Sequence, residues 1–233
     1  MREGKRNNQM PTTIKGRTAL ARGVALHLEG KGREALKELE RAVESGDPAR
    51  EVYAAKGHIQ FELELFDDSV KSYESLLTVD PGSTSAYFNL AVCQEKLGRW
   101  NEAAANFQRA LTSDPGRMDA RLGLGICLLH TRNAEKALEH FDECLGKTPT
   151  EETPLFGKAV SLELLGRYDE SLELYRQIVA ANPNAEEPMA NMVHIGMRKS
   201  DTGLVRDVSE KLLALRPFSQ AALEGLAWGA FAA

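Results

Sequence analysis

Tyr87-Phe88-Asn89-Leu90-Ala91-Val92-Cys93-Gln94-Glu95-Lys96-Leu97-Gly98-Arg99-Trp100-Asn101-Glu102-Ala103-Ala104-Ala105-Asn106-Phe107-Gln108-Arg109-Ala110-Leu111-Thr112-Ser113-Asp114-Pro115 carries two runs of helical periodicity separated by a short break. Tyr87, Leu90, Ala91 and Gln94 fall at helical spacing. Gly98-Arg99-Trp100 interrupts the pattern. Ala103, Phe107, Ala110 and Leu111 then resume the 3.6-residue period until Asp114-Pro115-Gly116 stops it. Two helices joined by a short glycine turn are predicted, a helical hairpin.

The stretch is one of a series. Pro81, Pro115, Pro149, Pro183 and Pro217 recur at a fixed spacing of 34 residues, the signature of a repeat architecture. Small residues keep the same stride at Gly23, Gly57, Ala91, Gly125 and Ala159, then Val193. A second column runs Ala35, Ser69, Ala103, Ala137 and Ser171, then Val205. Aromatics follow as Tyr73, Phe107, Phe141 and Tyr175. Pro154 and Pro188 fall just inside the first helices of their units, where a missing N–H is harmless and the fixed φ suits the first turn.

These columns resemble the tetratricopeptide repeat, with Tyr87-Phe88-Asn89-Leu90-Ala91, Leu97-Gly98-Arg99-Trp100, Glu102-Ala103, Phe107, Ala110-Leu111 and Asp114-Pro115 matching its pattern almost fully. The resemblance implies an all-α solenoid of helix-turn-helix repeats coiled into a right-handed superhelix. The expected organisation is a flexible basic tail over 1–15, six repeats over 16–219 (about 16–49, 50–83, 84–117, 118–151, 152–185 and 186–219), and a C-terminal capping helix over 220–233. Leu223, Leu226 and Ala227 are expected on the packing face of that last helix, which reads as a solvating cap.

Each helix of about 14 residues spans roughly 21 Å, and two can approach closely only where a small side chain faces a large one. A single hairpin cannot bury its apolar face, whereas stacked neighbours can. Departures from the pattern lie in the sixth repeat, where Ser200, Thr202, Val205 and Ser209 replace glycine, an aromatic, a small residue and an aromatic; it is expected to be the loosest. Gly32 and Ala134 also stand at the inter-helix aromatic place. Arg22, Lys56 and Lys158 occupy a column the family usually fills with leucine, and are read as long stems that carry their charge to water.

The family binds peptides on the concave wall formed by the first helix of each unit. The register places Leu20, Val24, Ala54, His58, Phe88, Val92, Leu122, Ile126, Phe156, Val160, Ala190, His194 and Trp228 there, beside Asn89 and Asn191. The middle of this wall is apolar where an idle solvent face is polar, which points to a groove for an amphipathic helix or apolar peptide; the alternative is that the superhelix buries these side chains. The expected groove residues are Phe88, Asn89, Val92, Leu122, Ile126, Phe156, Val160 and Asn191. Asn89 and Asn191 stand where peptide-binding members carry asparagines that grip a ligand backbone, but Ala55, Gly123 and Gly157 break the ladder. Leu20, Val24, Ala54 and Phe88 leave no place for the carboxylate clamp of chaperone-binding members.

The net charge is −5, and with Arg2, Lys5, Arg6, Lys15, Arg17 and Arg22 crowded at the start the remainder is acidic, a poor match for nucleic acid. No apolar run is long enough for membrane insertion, and the N-terminus lacks the apolar core of a secretory signal, so a cytoplasmic location is expected. Cys93, Cys127 and Cys144 are odd in number and lack metal or redox spacing. No cofactor is expected. The histidines His27, His58, His130, His140 and His194 are scattered over different units. His27 and His58, with Glu62 nearby, lack a third committed ligand and are read as groove polar contacts or surface residues without a metal. Gly123-Leu124-Gly125 continues inside a helix, so no phosphate loop is present. With no converging catalytic groups, the chain reads as a non-enzymatic adaptor for a protein or peptide. Two other readings stay open. One is a substrate-positioning repeat domain of a larger enzyme of glycosyltransferase, methyltransferase or sulfotransferase type, suggested by the apolar ending Gly225 to Phe231. The other is a self-associating scaffold, a homo-oligomer.

Overall fold

The computed structural model describes residues 18–232; the basic stretch 1–15 lies outside them. Thirteen α-helices and no strand are found among the described residues, so the fold is all-α, as the repeat pattern requires. Contacts divide the chain into two units that meet at the Pro115–Gly116 bond, within the Asp-Pro-Gly turn that closes the third hairpin.

The first unit holds α1 (Ala19–Leu28), α2 (Gly32–Glu44), α3 (Ala49–Glu62), α4 (Phe66–Val79), α5 (Thr84–Lys96) and α6 (Trp100–Ser113). Each helix packs on the next in sequence, and the first helices α1 and α3 also touch directly. The second unit holds α7 (Met118–His130), α8 (Ala134–Leu145), α9 (Glu152–Leu164), α10 (Tyr168–Ala181), α11 (Glu186–Lys199), α12 (Thr202–Leu215) and α13 (Gln220–Ala232). The same neighbour packing runs through it, with direct contacts of α7 to α9 and of α11 to α13.

The stride of the sequence reappears in the backbone. The turn within each of the six hairpins places one residue in the left-handed region: Gly30, Gly98 and Gly166 at φ 77°, 69° and 74°, and at the equivalent positions Glu64, Arg132 and Ser200 at 59°, 62° and 57°. In the third hairpin the Gly98 N–H donates to Glu95 O at 2.9 Å and the Arg99 N–H to Gln94 O at 2.8 Å, which satisfies carbonyls the helix end would otherwise leave unpaired. A side chain in this conformation costs about 1–2 kcal/mol, so three of the six turns carry strain that glycine relieves in the others.

Packing follows the small-against-large rule. The Tyr73 ring lies so close to the α3 backbone that a Cβ on Gly57 would meet it at 2.8 Å, and the Phe141 ring is pinched between Gly125 and Gly157, where added Cβ atoms would lie 2.9 and 2.4 Å away. Ala35, Ala103 and Ala137 are fully buried, and where serine takes their column its hydroxyl donates back to the first helix: Ser69 Oγ to Gly57 O at 2.7 Å, Ser171 Oγ to Ala159 O at 2.8 Å. Arg22 and Lys158 are half-buried and meet the second helix of a hairpin as ion pairs, Arg22 Nε to Glu38 Oε2 at 2.8 Å and Lys158 Nζ to Asp142 Oδ1 at 2.6 Å. Cys93, Cys127 and Cys144 are free and buried; burial pushes the Cys93 and Cys144 thiols up.

The sixth hairpin, which lacks the aromatic wedge, is filled differently. Val193, Val205 and Ser209 are fully buried, and α13 comes in over them at Gly225, where a Cβ would meet Ser209 Oγ and Val193 at 2.6 Å. Ser209 Oγ has no hydrogen-bond partner. The expected face of the last helix is corrected: Ala222 and Gly225 pack inward, Leu226 is half-buried, and Leu223 and Ala227 are exposed. A leucine cannot occupy the narrow place that Gly225 fills. Nor is the outer face of α13 a solvating one, since Leu223 is 49% and Phe231 94% exposed.

Gly157→Ala is expected to destabilise the chain by about 1–3 kcal/mol through overpacking against Phe141, read as a lowered denaturation midpoint with an unchanged circular dichroism spectrum. Arg132→Gly acts in the opposite sense. Relief of left-handed strain exceeds the entropic cost of glycine, for a gain of about 0.5–1 kcal/mol in the same measurement.

Candidate functional site

Among the expected groove residues, Ile126, Phe156 and Val160 are brought together by the direct packing of α7 on α9. With Leu129, Leu164 and the Gly157 backbone they line a depression of about 400 Å³, edged by His130 and Thr153. Ile126, Phe156 and Val160 are all half-buried and Leu164 is exposed. Leu122, one helical turn before Ile126, is half-buried as well. The side chains that form the floor are held from below: the Phe156 ring packs at a tilt on Tyr175, centroid to centroid 5.8 Å, and Gly157 lets the Phe141 ring rise under the helix.

Phe88, Asn89 and Val92 lie on α5 of the first unit and are half-buried. Phe88 stacks edge-to-face on Phe107 of its own hairpin at 5.7 Å, so part of its surface belongs to the core. The Asn89 side chain is hydrogen-bonded to the Tyr73 hydroxyl, and burial raises that phenol well above its ordinary range.

Asn191 repeats the arrangement. Its Nδ2 donates to Tyr175 Oη at 2.9 Å, and Tyr175 Oη donates to Glu163 Oε2 at 3.0 Å. Both asparagines thus use their amides on a tyrosine of the preceding hairpin, a role that the reading as ligand-gripping amides did not include. The signal for it lies in the sequence: asparagine stands sixteen residues after tyrosine in Tyr73/Asn89 and Tyr175/Asn191, whereas glycine stands sixteen after phenylalanine in Phe107/Gly123 and Phe141/Gly157. A buried hydroxyl needs a partner; a bare ring does not.

Glu163 is the one carboxylate drawn into this network. Burial pushes its carboxyl group above the ordinary range, while the hydrogen bond from Tyr175 and the nearby His194 and Arg198 pull it back in part. Burial and the adjacent carboxylate raise the Tyr175 phenol in turn.

A profile described as Tetratricopeptide repeat matches residues 54–116, 95–152 and 155–186, more than half of the chain. The chain belongs to the tetratricopeptide repeat family. No curated protein sequence matches it. Among solved structures it is similar to YrrB, described as a tetratricopeptide protein with an unusual peptide-binding site, at 17% identity and a TM-score of 0.71 over 81% of this chain and 97% of that one. It is also similar to PilW, described as a widely conserved type IV pilus biogenesis factor, at 19% identity and a TM-score of 0.69 over 89% and 96%. MamA from residue 41 onward, from Desulfovibrio magneticus RS-1, gives 13% identity and a TM-score of 0.69 over 74% and 98%. At these identities the likeness concerns the fold.

The raised Glu163 carboxyl makes stability depend on pH. The unfolded chain ionises this group at the ordinary carboxylate value and the folded chain only above it. Between the two the folded state binds more protons, so stability falls as pH rises through that window. Glu163→Gln, which still accepts from Tyr175, is expected to raise stability at neutral pH and to remove this slope, as measured by urea unfolding from mildly acidic to neutral pH.

Proposed function

We propose that this chain is a non-catalytic adaptor that seats the apolar face of a partner helix or peptide in the depression between α7 and α9. The observation that carries this reading is the convergence of Ile126, Phe156 and Val160, half-buried, around one apolar hollow of about 400 Å³. A hollow of this kind takes a few aliphatic or aromatic side chains projecting at helical or extended spacing, the usual mode of helix-in-groove recognition. The peptide-binding site named for YrrB supports the same use of the fold. The family supports a scaffold rather than a catalyst. No helix among the described residues is long and apolar enough to cross a membrane.

Phe156→Glu places a charge in this hollow and removes the aromatic contact. Losing one buried aromatic costs about 1.5–3 kcal/mol, or roughly 10- to 100-fold in Kd. Affinity capture from native lysate with wild type and the Phe156→Glu, Val160→Glu double variant is expected to show loss of the specific partners. Equal recovery by both proteins, with the circular dichroism spectrum unchanged, overturns this reading.

A second reading, self-association, is favoured by the apolar outer face of α13, with Leu223 and Phe231 exposed. It requires that Leu223→Glu with Phe231→Glu convert an oligomer to monomer in light scattering across a concentration series. A monomeric wild type excludes it.

A further inference from the structure

At the other end of the chain, in the first unit, three metal-ligating side chains meet on the first helices. His58 and Glu62 stand one helical turn apart on α3, and His27 reaches them from the last turn of α1, which packs directly on α3. His58 Nε2 lies 3.2 Å from Glu62 Oε1, and His27 Nε2 lies 3.5 Å from Glu62 Oε2. The two imidazoles meet edge-to-face, 5.6 Å between centroids at 87°. A set of three donor atoms, one from each residue, lies within 4.8 Å of one another.

We propose that His27, His58 and Glu62 form a binding site for a divalent transition metal of the zinc class. The structure brings the Glu62 carboxylate, only nearby in the sequence reading, within reach of both histidines as the third ligand. Three features support the assignment. The donor set, two imidazoles and one carboxylate, is that of open zinc sites with three protein ligands and a further position for water or an incoming group. With bonds of about 2.0–2.2 Å, neighbouring donors of a tetrahedral ion sit roughly 3.3 Å apart; His58 Nε2 stands 3.2 Å from Glu62 Oε1 and His27 Nε2 3.5 Å from the other oxygen, Oε2, so the carboxylate lies between the two imidazoles. The site is also reachable without disturbing the core: His58 and Glu62 side chains are 59% and 48% exposed, while His27, at 24%, is anchored by its surroundings. Oxygen-preferring cations such as magnesium and calcium do not suit two imidazoles.

The bound ion keeps at least one position open on the wall of first helices, so a histidine or carboxylate of a docked polypeptide can complete its coordination. This stands independently of the hollow on α7 and α9.

The test uses the full chain without a polyhistidine tag, titrated with Co²⁺ and followed by its visible d–d absorption, with Zn²⁺ uptake measured in parallel by equilibrium dialysis. One equivalent of each metal is expected, with Zn²⁺ displacing Co²⁺. His27→Gln, His58→Gln and Glu62→Gln are each expected to weaken uptake tenfold or more, since loss of even an outer-shell partner costs about 10- to 100-fold. Thermal melting with and without Zn²⁺ gives a second readout: a rise in Tm in wild type that the variants lose. Absence of Zn²⁺ uptake overturns the proposal. So does uptake that survives in two of the three variants, and so does a thiolate-to-cobalt charge-transfer band, which assigns the metal to the cysteines.

Discussion

The structure depends on the distance at which an aromatic ring can lie against a neighbouring helix backbone. Phe141 is held between Gly125 on its own first helix and Gly157 on the next, with no room for a Cβ on either. That one contact ties three helices together, closing a hairpin and docking it on its successor. Interiors are packed too densely for the ring to be moved or shrunk without a void or a clash. The small columns on both faces of each hairpin are its consequence. Where the ring is missing, at Ser209, the next helix closes the gap by its own glycine, Gly225, and leaves a hydroxyl buried without a partner.

Much of this was legible in the sequence because it rests on period. The proline stride marks each hairpin end, and the small and aromatic columns mark the buried faces. What the period alone does not determine is how much of the last helix is covered: Ala222 and Gly225 keep the stride of Ala120, Pro154 and Pro188 and of Gly123, Gly157 and Asn191, and both are buried. Leu223 and Ala227 lie on the side of α13 turned away from α11 and α12, on which it packs, and are exposed. The turns are similar: Gly98 announces a left-handed residue, but Glu64 and Arg132 adopt the same φ because the hairpin on either side dictates it.

The candidate site was legible in part. Its apolar members, Ile126, Phe156 and Val160, could be placed because a first-helix register projects them to one side. The asparagines were harder. Asn89 and Asn191 sit in the column from which a ligand backbone can be gripped, but each answers a buried phenol, and that relation is visible only when residues sixteen apart are read as pairs. The members of the His27–His58–Glu62 cluster could be named from the register, but the approach of all three donors to within 4.8 Å of one another is a matter of side-chain geometry that no spacing along the chain gives.

The hollow and the polar network share a residue, and this bears on how binding would work. Tyr175 supports the Phe156 ring from below while its hydroxyl joins Asn191 to Glu163. Phe156 therefore rests on a ring whose rotation is fixed at its far end by two hydrogen bonds, one of them to a carboxylate, and such bonds are stronger than those between neutral groups. A binding floor assembled in this way has lost its rotamer freedom during folding. A guest that seats on it immobilises few further side chains, and immobilising each costs about 0.5–1.5 kcal/mol. Modest apolar contact would then suffice for useful affinity in the proposed hollow, with His130 and Thr153 at its rim.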